Sequence, residues 1–108
     1  MIMNVLEKHN HYILLFDFYG AALTEKQQNY FRDYYFKDAS LAEIAEESGI
    51  SRAAVYDQLK NVYKILDNYE EKLALYHKFV QRNDLYEEFS KLDDENVKKL
   101  IEKLKETE

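Results

Sequence analysis

The stretch "SRAAVYDQLK", Ser51 to Lys60, places basic, acidic and aromatic side chains at helical spacing. At about 100° per residue, a helix with Val55 turned inward carries Ala53, Asp57, Lys60 and Lys64 on its opposite face. Arg52 and Tyr56 then lie to one side. These residue types suit recognition rather than covalent chemistry. Arg52, Lys60 and Lys64 can meet phosphate oxygens or guanine edges, Tyr56 can lie on bases or thymine methyls, and Asp57 can accept from cytosine N4. Asp57 would also stand beside phosphates and lower non-specific affinity. The expected nucleic-acid- or partner-binding face is therefore Arg52, Ala53, Tyr56, Asp57, Lys60 and Lys64. The plain alternative is a solvated helix face of mixed charge.

The other candidates for chemistry are weaker. There is no cysteine, so disulfides and thiolate metal sites are excluded. His9 and His11 are two residues apart and face different sides of a helix, and His77 stands alone, so no metal is expected. Asp17, inside "LLFDFYG", has no histidine or second carboxylate tied to it by a motif. No phosphate-binding glycine loop and no nucleophile elbow is present. The reading is a non-enzyme without cofactors. Tyr30, Tyr34 and Tyr35 could stack on single-stranded RNA, but a stripe of this kind is better read as core with hydroxyls reaching the surface.

The elements that must position the recognition face follow from local signals. A first helix covers about Glu7 to Tyr19, with Gly20 as its expected stop. Thr24 and Gln27 form a capping-box pattern that opens a helix from Glu25 to about Phe36, with Phe31, Tyr34 and Tyr35 inward. Ser40 and Glu43 form another, opening a short helix at Leu41 with Leu41, Ile44 and Ala45 inward. Gly49 supplies the turn, Ile50 plugs the corner and Ser51 caps the next helix. Small Ala45, the turn glycine and Val55 together give helix-turn-helix spacing over residues 40–66.

The helix that follows carries a heptad pattern through Val55, Leu59, Val62, Leu66, Tyr69, Leu73, Tyr76 and Val80. Without glycine or proline to stop it, one helix from Ser51 to about Val80 would be ~45 Å long. A break at Asp67–Asn68, two weak helix formers, is the competing reading. The distal part, Leu66, Tyr69, Leu73, Tyr76 and Val80, is the expected seam of a homodimer, since a long helix otherwise leaves an exposed apolar stripe. After Arg82-Asn83 the pattern restarts in "DLYEEFSKL", expected to form a short helix with Leu85, Phe89 and Leu92 inward. Asp93 is then expected to cap a last helix with Val97, Leu100, Ile101 and Leu104 in one stripe.

The fold class is thus all-α. One helical domain is expected over residues 1–108, with a helix-turn-helix of the sigma region four-like, winged-helix-like class, a long third helix and a C-terminal helical extension over 67–106. Two glycines and no proline argue against a β-rich chain of 108 residues. No apolar run reaches a membrane span and no signal peptide is evident, which points to the cytoplasm. Net charge is −6. Residues 51–82 carry six basic and four acidic side chains, and both flanks are acidic. A binder of DNA would therefore act through a local patch.

Three blocks, "LLFDFYGAALTEKQQNYFRDYYF", "SLAEIAEESGISRAAVYDQLK" and "LDNYEEKLALYHKF", resemble the YlxM family of small bacterial proteins, whose helix-turn-helix is similar to that of sigma factor region four. The resemblance covers residues 12 to 80. It implies an accessory or regulatory part in co-translational protein targeting, because in that family the gene commonly neighbours those of the signal recognition particle GTPase and its receptor. The implied partners are that GTPase, its receptor or its RNA. A DNA-binding transcriptional regulator is the alternative, with duplex DNA as partner.

Overall fold

The structure is a computed structural model and describes residues 5–108. The described residues form six α-helices and no strand. They are α1 (Val5–Tyr19), α2 (Glu25–Tyr35), α3 (Leu41–Ser48), α4 (Arg52–Leu73), α5 (Leu75–Ser90) and α6 (Glu95–Glu106). A short 3₁₀ turn, Gly20–Ala22, follows α1. The chain divides into two compact units, one ending at Ala74 and one running from Leu75 to Glu108.

The first unit is built on α4. Val55, Leu59, Val62 and Leu66 are all buried, and α1, α2 and α3 each pack with α4 or with one another around that stripe. Ile44 and Ala45 of α3 join Tyr30 of α2 and Val55 and Leu59 of α4 in one cluster, with Leu41, Ile50 and Tyr63 against its edge. Leu15 and Phe31 are completely buried. The rings of Phe16, Phe31 and Tyr35 form a continuous stack, with centroids 4.3 Å apart at each step.

The local signals hold at the helix starts. Thr24 and Gln27, and Ser40 and Glu43, make reciprocal capping boxes, and Ser51 Oγ accepts from the Ala54 amide at 3.0 Å. Gly49 takes the left-handed conformation, φ +71°, that ends α3.

The structure differs from expectation at three places. Gly20 is not one of them: α1 ends at Tyr19 directly before it, and Gly20 opens the 3₁₀ turn rather than taking a left-handed cap. Its hydrogen side chain matters for another reason, because a Cβ there would lie 3.2 Å from the Phe16 ring. The long helix reaches neither Val80 nor breaks at Asp67–Asn68. It stops at Leu73, where Ala74 turns left-handed at φ 53° and its amide still bonds back to the Glu70 carbonyl. No break occurs at Arg82-Asn83, which lies within α5, and Leu85, Phe89 and Leu92 are exposed rather than turned inward. The cap of α6 is Asp94, whose carboxylate accepts from the amides of Asn96 and Val97, and not Asp93.

The expected dimer seam fails for the same reason. Leu66 is wholly enclosed by its own unit and has no surface to offer another chain. Tyr69 and Leu73 end α4, while Tyr76 and Val80 belong to α5, after the left-handed Ala74. No single stripe joins the five residues.

Gly49 tests the turn. Nothing stands within 4 Å of a Cβ built there, so only backbone strain opposes substitution. Gly49→Ala is expected to cost about 1–2 kcal/mol in urea unfolding, and Gly49→Asn clearly less. Equal costs would show that the left-handed turn is not what limits this position.

Candidate nucleic-acid or partner interface

Two constraints aim the outer face of α4. Gly49 and Ser51 fix where the helix begins, and the buried stripe from Val55 to Leu66 fixes its rotation. Arg52, Ala53, Tyr56, Asp57, Lys60 and Lys64 are consequently all exposed. They lie along one side of a single rigid helix, so the structure brings the expected set together. Lys60 Nζ sits 5.5 Å from the centre of the Tyr56 ring, a cation–π contact that holds an ammonium over an aromatic face. Tyr56, Arg52 and Ala53 also border a shallow depression closed on its far side by Leu41 of α3. The helix-turn-helix thus presents a flat aromatic ring, a guanidinium and two ammonium groups, with one carboxylate among them.

Behind this face lies an arrangement that the spacing rules did not single out. Tyr12 of α1 stacks on Tyr63 of α4 with ring centres 4.4 Å apart, and its hydroxyl donates to Asp67 Oδ2 at 2.9 Å. The Tyr35 and Tyr63 hydroxyls share a hydrogen bond of 2.8 Å. Tyr19 stacks on Tyr69 and donates to Glu70 Oε1 at 2.6 Å. Two of the four acids in the basic segment are therefore tied to hydroxyls of α1. The signal was a tyrosine at an apolar position of α1 or α4, but nothing local pairs it with a given carboxylate.

The three tyrosines considered for RNA stacking belong to the interior. Tyr30 is buried, and Tyr34 and Tyr35 are half-buried, with Tyr35 stacked on Phe31 and tilted against His9. The Tyr30 hydroxyl is buried without a hydrogen-bond partner among the described residues. Asp17 is exposed. No group of three or more metal-ligating side chains comes together among the described residues, and no described helix is long and apolar enough to cross a membrane.

Burial pushes the phenols of Tyr12 and Tyr63 well above their ordinary value, and the hydrogen bonds to Asp67 and Tyr35 raise them further. Tyr35 is also raised by burial, against a lowering by its bond to Tyr63. Folded-state phenols thus hold their protons more tightly than unfolded ones. That contribution is intact below about pH 10 and is lost as pH rises above it, toward the raised folded values. The urea midpoint is expected to fall from about pH 9 to about pH 11, and Tyr63→Phe should flatten that alkaline fall. An unchanged slope in the variant would remove Tyr63 as its source.

The capped α3, the left-handed glycine turn and the exposed outer face of α4 define a helix-turn-helix protein. Comparison with known sequences agrees. Residues 6–107 match the UPF0122 family, described as "Putative helix-turn-helix protein, YlxM / p13 like". A UPF0122 protein of Lactococcus lactis subsp. cremoris (strain MG1363) is 55% identical over 86 residues, which is 80% of this chain and 78% of that protein. One from Streptococcus gordonii is 52% identical over 85 residues, covering 79% and 77%. Another, from Streptococcus pneumoniae (strain Hungary19A-6), is 51% identical over 83 residues, covering 77% and 76%. The chain belongs to the UPF0122 (YlxM/p13-like) family.

Proposed function

We propose that this protein is a non-enzymatic, cytoplasmic binding protein that serves the signal recognition particle pathway as an accessory or regulatory component. It engages the particle's RNA through the outer face of α4. The observation that carries the reading is the row Arg52, Tyr56, Lys60 and Lys64 on one exposed helix side, three cations and a ring against the single acid Asp57. A polyanion with unstacked bases matches it: ammonium and guanidinium groups take phosphates, and Tyr56 takes a base face. The pathway rests on the family resemblance, in which the particle's GTPase and receptor are the other candidate partners.

A second reading is a DNA-binding transcriptional regulator. Its support is the Gly49 turn and Ser51 cap, which leave the first turn of α4 open in the manner of a recognition helix. The two readings differ in which ligand wins at matched salt.

Titration of the full chain against the particle's RNA, its GTPase and random duplex DNA separates them. The expected result is tighter binding to the RNA, with an affinity that falls with salt. Replacing both Lys60 and Lys64 by Gln should reduce the magnitude of the log–log salt slope by about two. Preference for duplex DNA would support the regulator. Binding to the GTPase alone, indifferent to Lys60 and Lys64, would move the interface off this face.

A further inference from the structure

The second unit, α5 and α6, is a helical hairpin with little interior. It spans only Leu75 to Glu108, shorter than the ~40 residues below which a unit usually needs a metal, disulfide or oligomer to be stable. Tyr86 and Ile101 are its only buried large side chains. Leu85, Phe89, Leu100 and Leu104 are 52%, 45%, 57% and 42% exposed, and with Val97 they line one apolar groove along the hairpin. The hairpin is held shut by polar contacts at one end. Arg82 Nε and the Tyr86 hydroxyl both donate to Glu108 Oε1, at 2.6 and 2.9 Å. Those two hydrogen bonds also hold the Glu108 carboxyl below its ordinary value.

The charges beside the groove indicate what covers it. On α5, at about 100° per residue, Tyr86 faces α6, Leu85 and Phe89 come next, and Glu88 and Asp84 follow on the side away from α6. On α6 the same progression runs from Ile101 through Leu100 and Leu104 to Lys103 and Lys99. The outer flank of α5 is thus acidic and the outer flank of α6 is basic. All four of these charged residues are exposed.

We infer that the α5–α6 groove is the docking surface for the same groove of a second copy of this chain. A two-fold axis over the groove and parallel to the two helices would lay the acidic flank of α5 in each copy along the basic flank of α6 in the other. Asp84 and Glu88 would meet Lys99 and Lys103 twice over. Leu85, Phe89, Leu100 and Leu104 from both copies would form the interior of a four-helix bundle. A single apolar helix from elsewhere would cover the leucines but would have to supply an acidic and a basic edge of its own. A second copy already carries both. The inference is independent of what α4 binds.

Sedimentation of the full chain tests it. A dimer is expected at micromolar concentration. Glu88→Lys and Lys103→Glu, each present twice in a two-fold dimer, should separately raise the dissociation constant by roughly tenfold, and the double variant should recover most of the loss. Leu100→Asp should leave only monomer, with helicity checked by circular dichroism. Should that variant unfold, the charge-reversal pair decides alone. A monomer at high micromolar concentration, or a dimer indifferent to both reversals, would overturn the inference.

Discussion

The first unit depends on the stripe Val55, Leu59, Val62 and Leu66, none more than 2% exposed. Burying four such side chains contributes about 1.5–3 kcal/mol each, and α1, α2 and α3 are arranged around them. The same burial leaves no freedom in the rotation of α4. With the stripe inward, Tyr56 and Lys60 are left exposed, about 100° and about 140° around the helix from Val55. The recognition face is in this sense a by-product of the core. A substitution that let α4 turn by a few tens of degrees would swing Arg52, Lys60 and Lys64 together off the side they now occupy without touching any of them.

The tyrosines extend this constraint to electrostatics. Leucines at Tyr12, Tyr19 and Tyr63 would also fill the space between α1, α2 and α4. Tyrosines additionally deliver hydroxyls to Asp67 and Glu70. Both carboxylates lie on α4, and both are engaged by α1 rather than standing among the cations of the recognition row. Asp57 is the one acid left within the row. The unpartnered Tyr30 hydroxyl shows the opposite case. There the ring is what the cluster with Ile44 and Val55 uses, and the hydroxyl is carried at a cost of about 1–3 kcal/mol if no water reaches it.

Legibility in the sequence followed how local each determinant is. The capping boxes at Thr24 and Ser40, the cap at Ser51 and the turn at Gly49 each depend on a few neighbouring residues, and the recognition face inherits its register from them. Ala74 was not legible. Alanine is the best helix former and pays for a left-handed φ, so the stop at Ala74 has no local advertisement. The apolar spacing in the sequence even continues past it, through Tyr76 and Val80, although those two residues belong to α5. A heptad pattern records which residues are apolar, not which helix shares them. The adjacent pair Asp93-Asp94 posed a smaller version of the problem: both residues can cap, and the position of the following turn chooses between them.

Charge sets the kind of recognition this fold can perform. Beyond the ~8 Å over which charges act at physiological salt, a polyanion approaching the chain meets no long-range attraction, since the net charge is −6. Attraction begins only when Arg52, Lys60 and Lys64 are close enough to make contact. Encounter is therefore not steered over distance, and three cations cannot hold an arbitrary stretch of backbone tightly. Under the proposed function, affinity would have to come from fit: a phosphate spacing that matches the one-sided row, and a flat group for Tyr56. On the proposed reading, an acidic chain with a small basic face withholds the electrostatic adhesion that a basic domain would give to any nucleic acid. Such a chain gains selectivity in the same measure as it gives up strength.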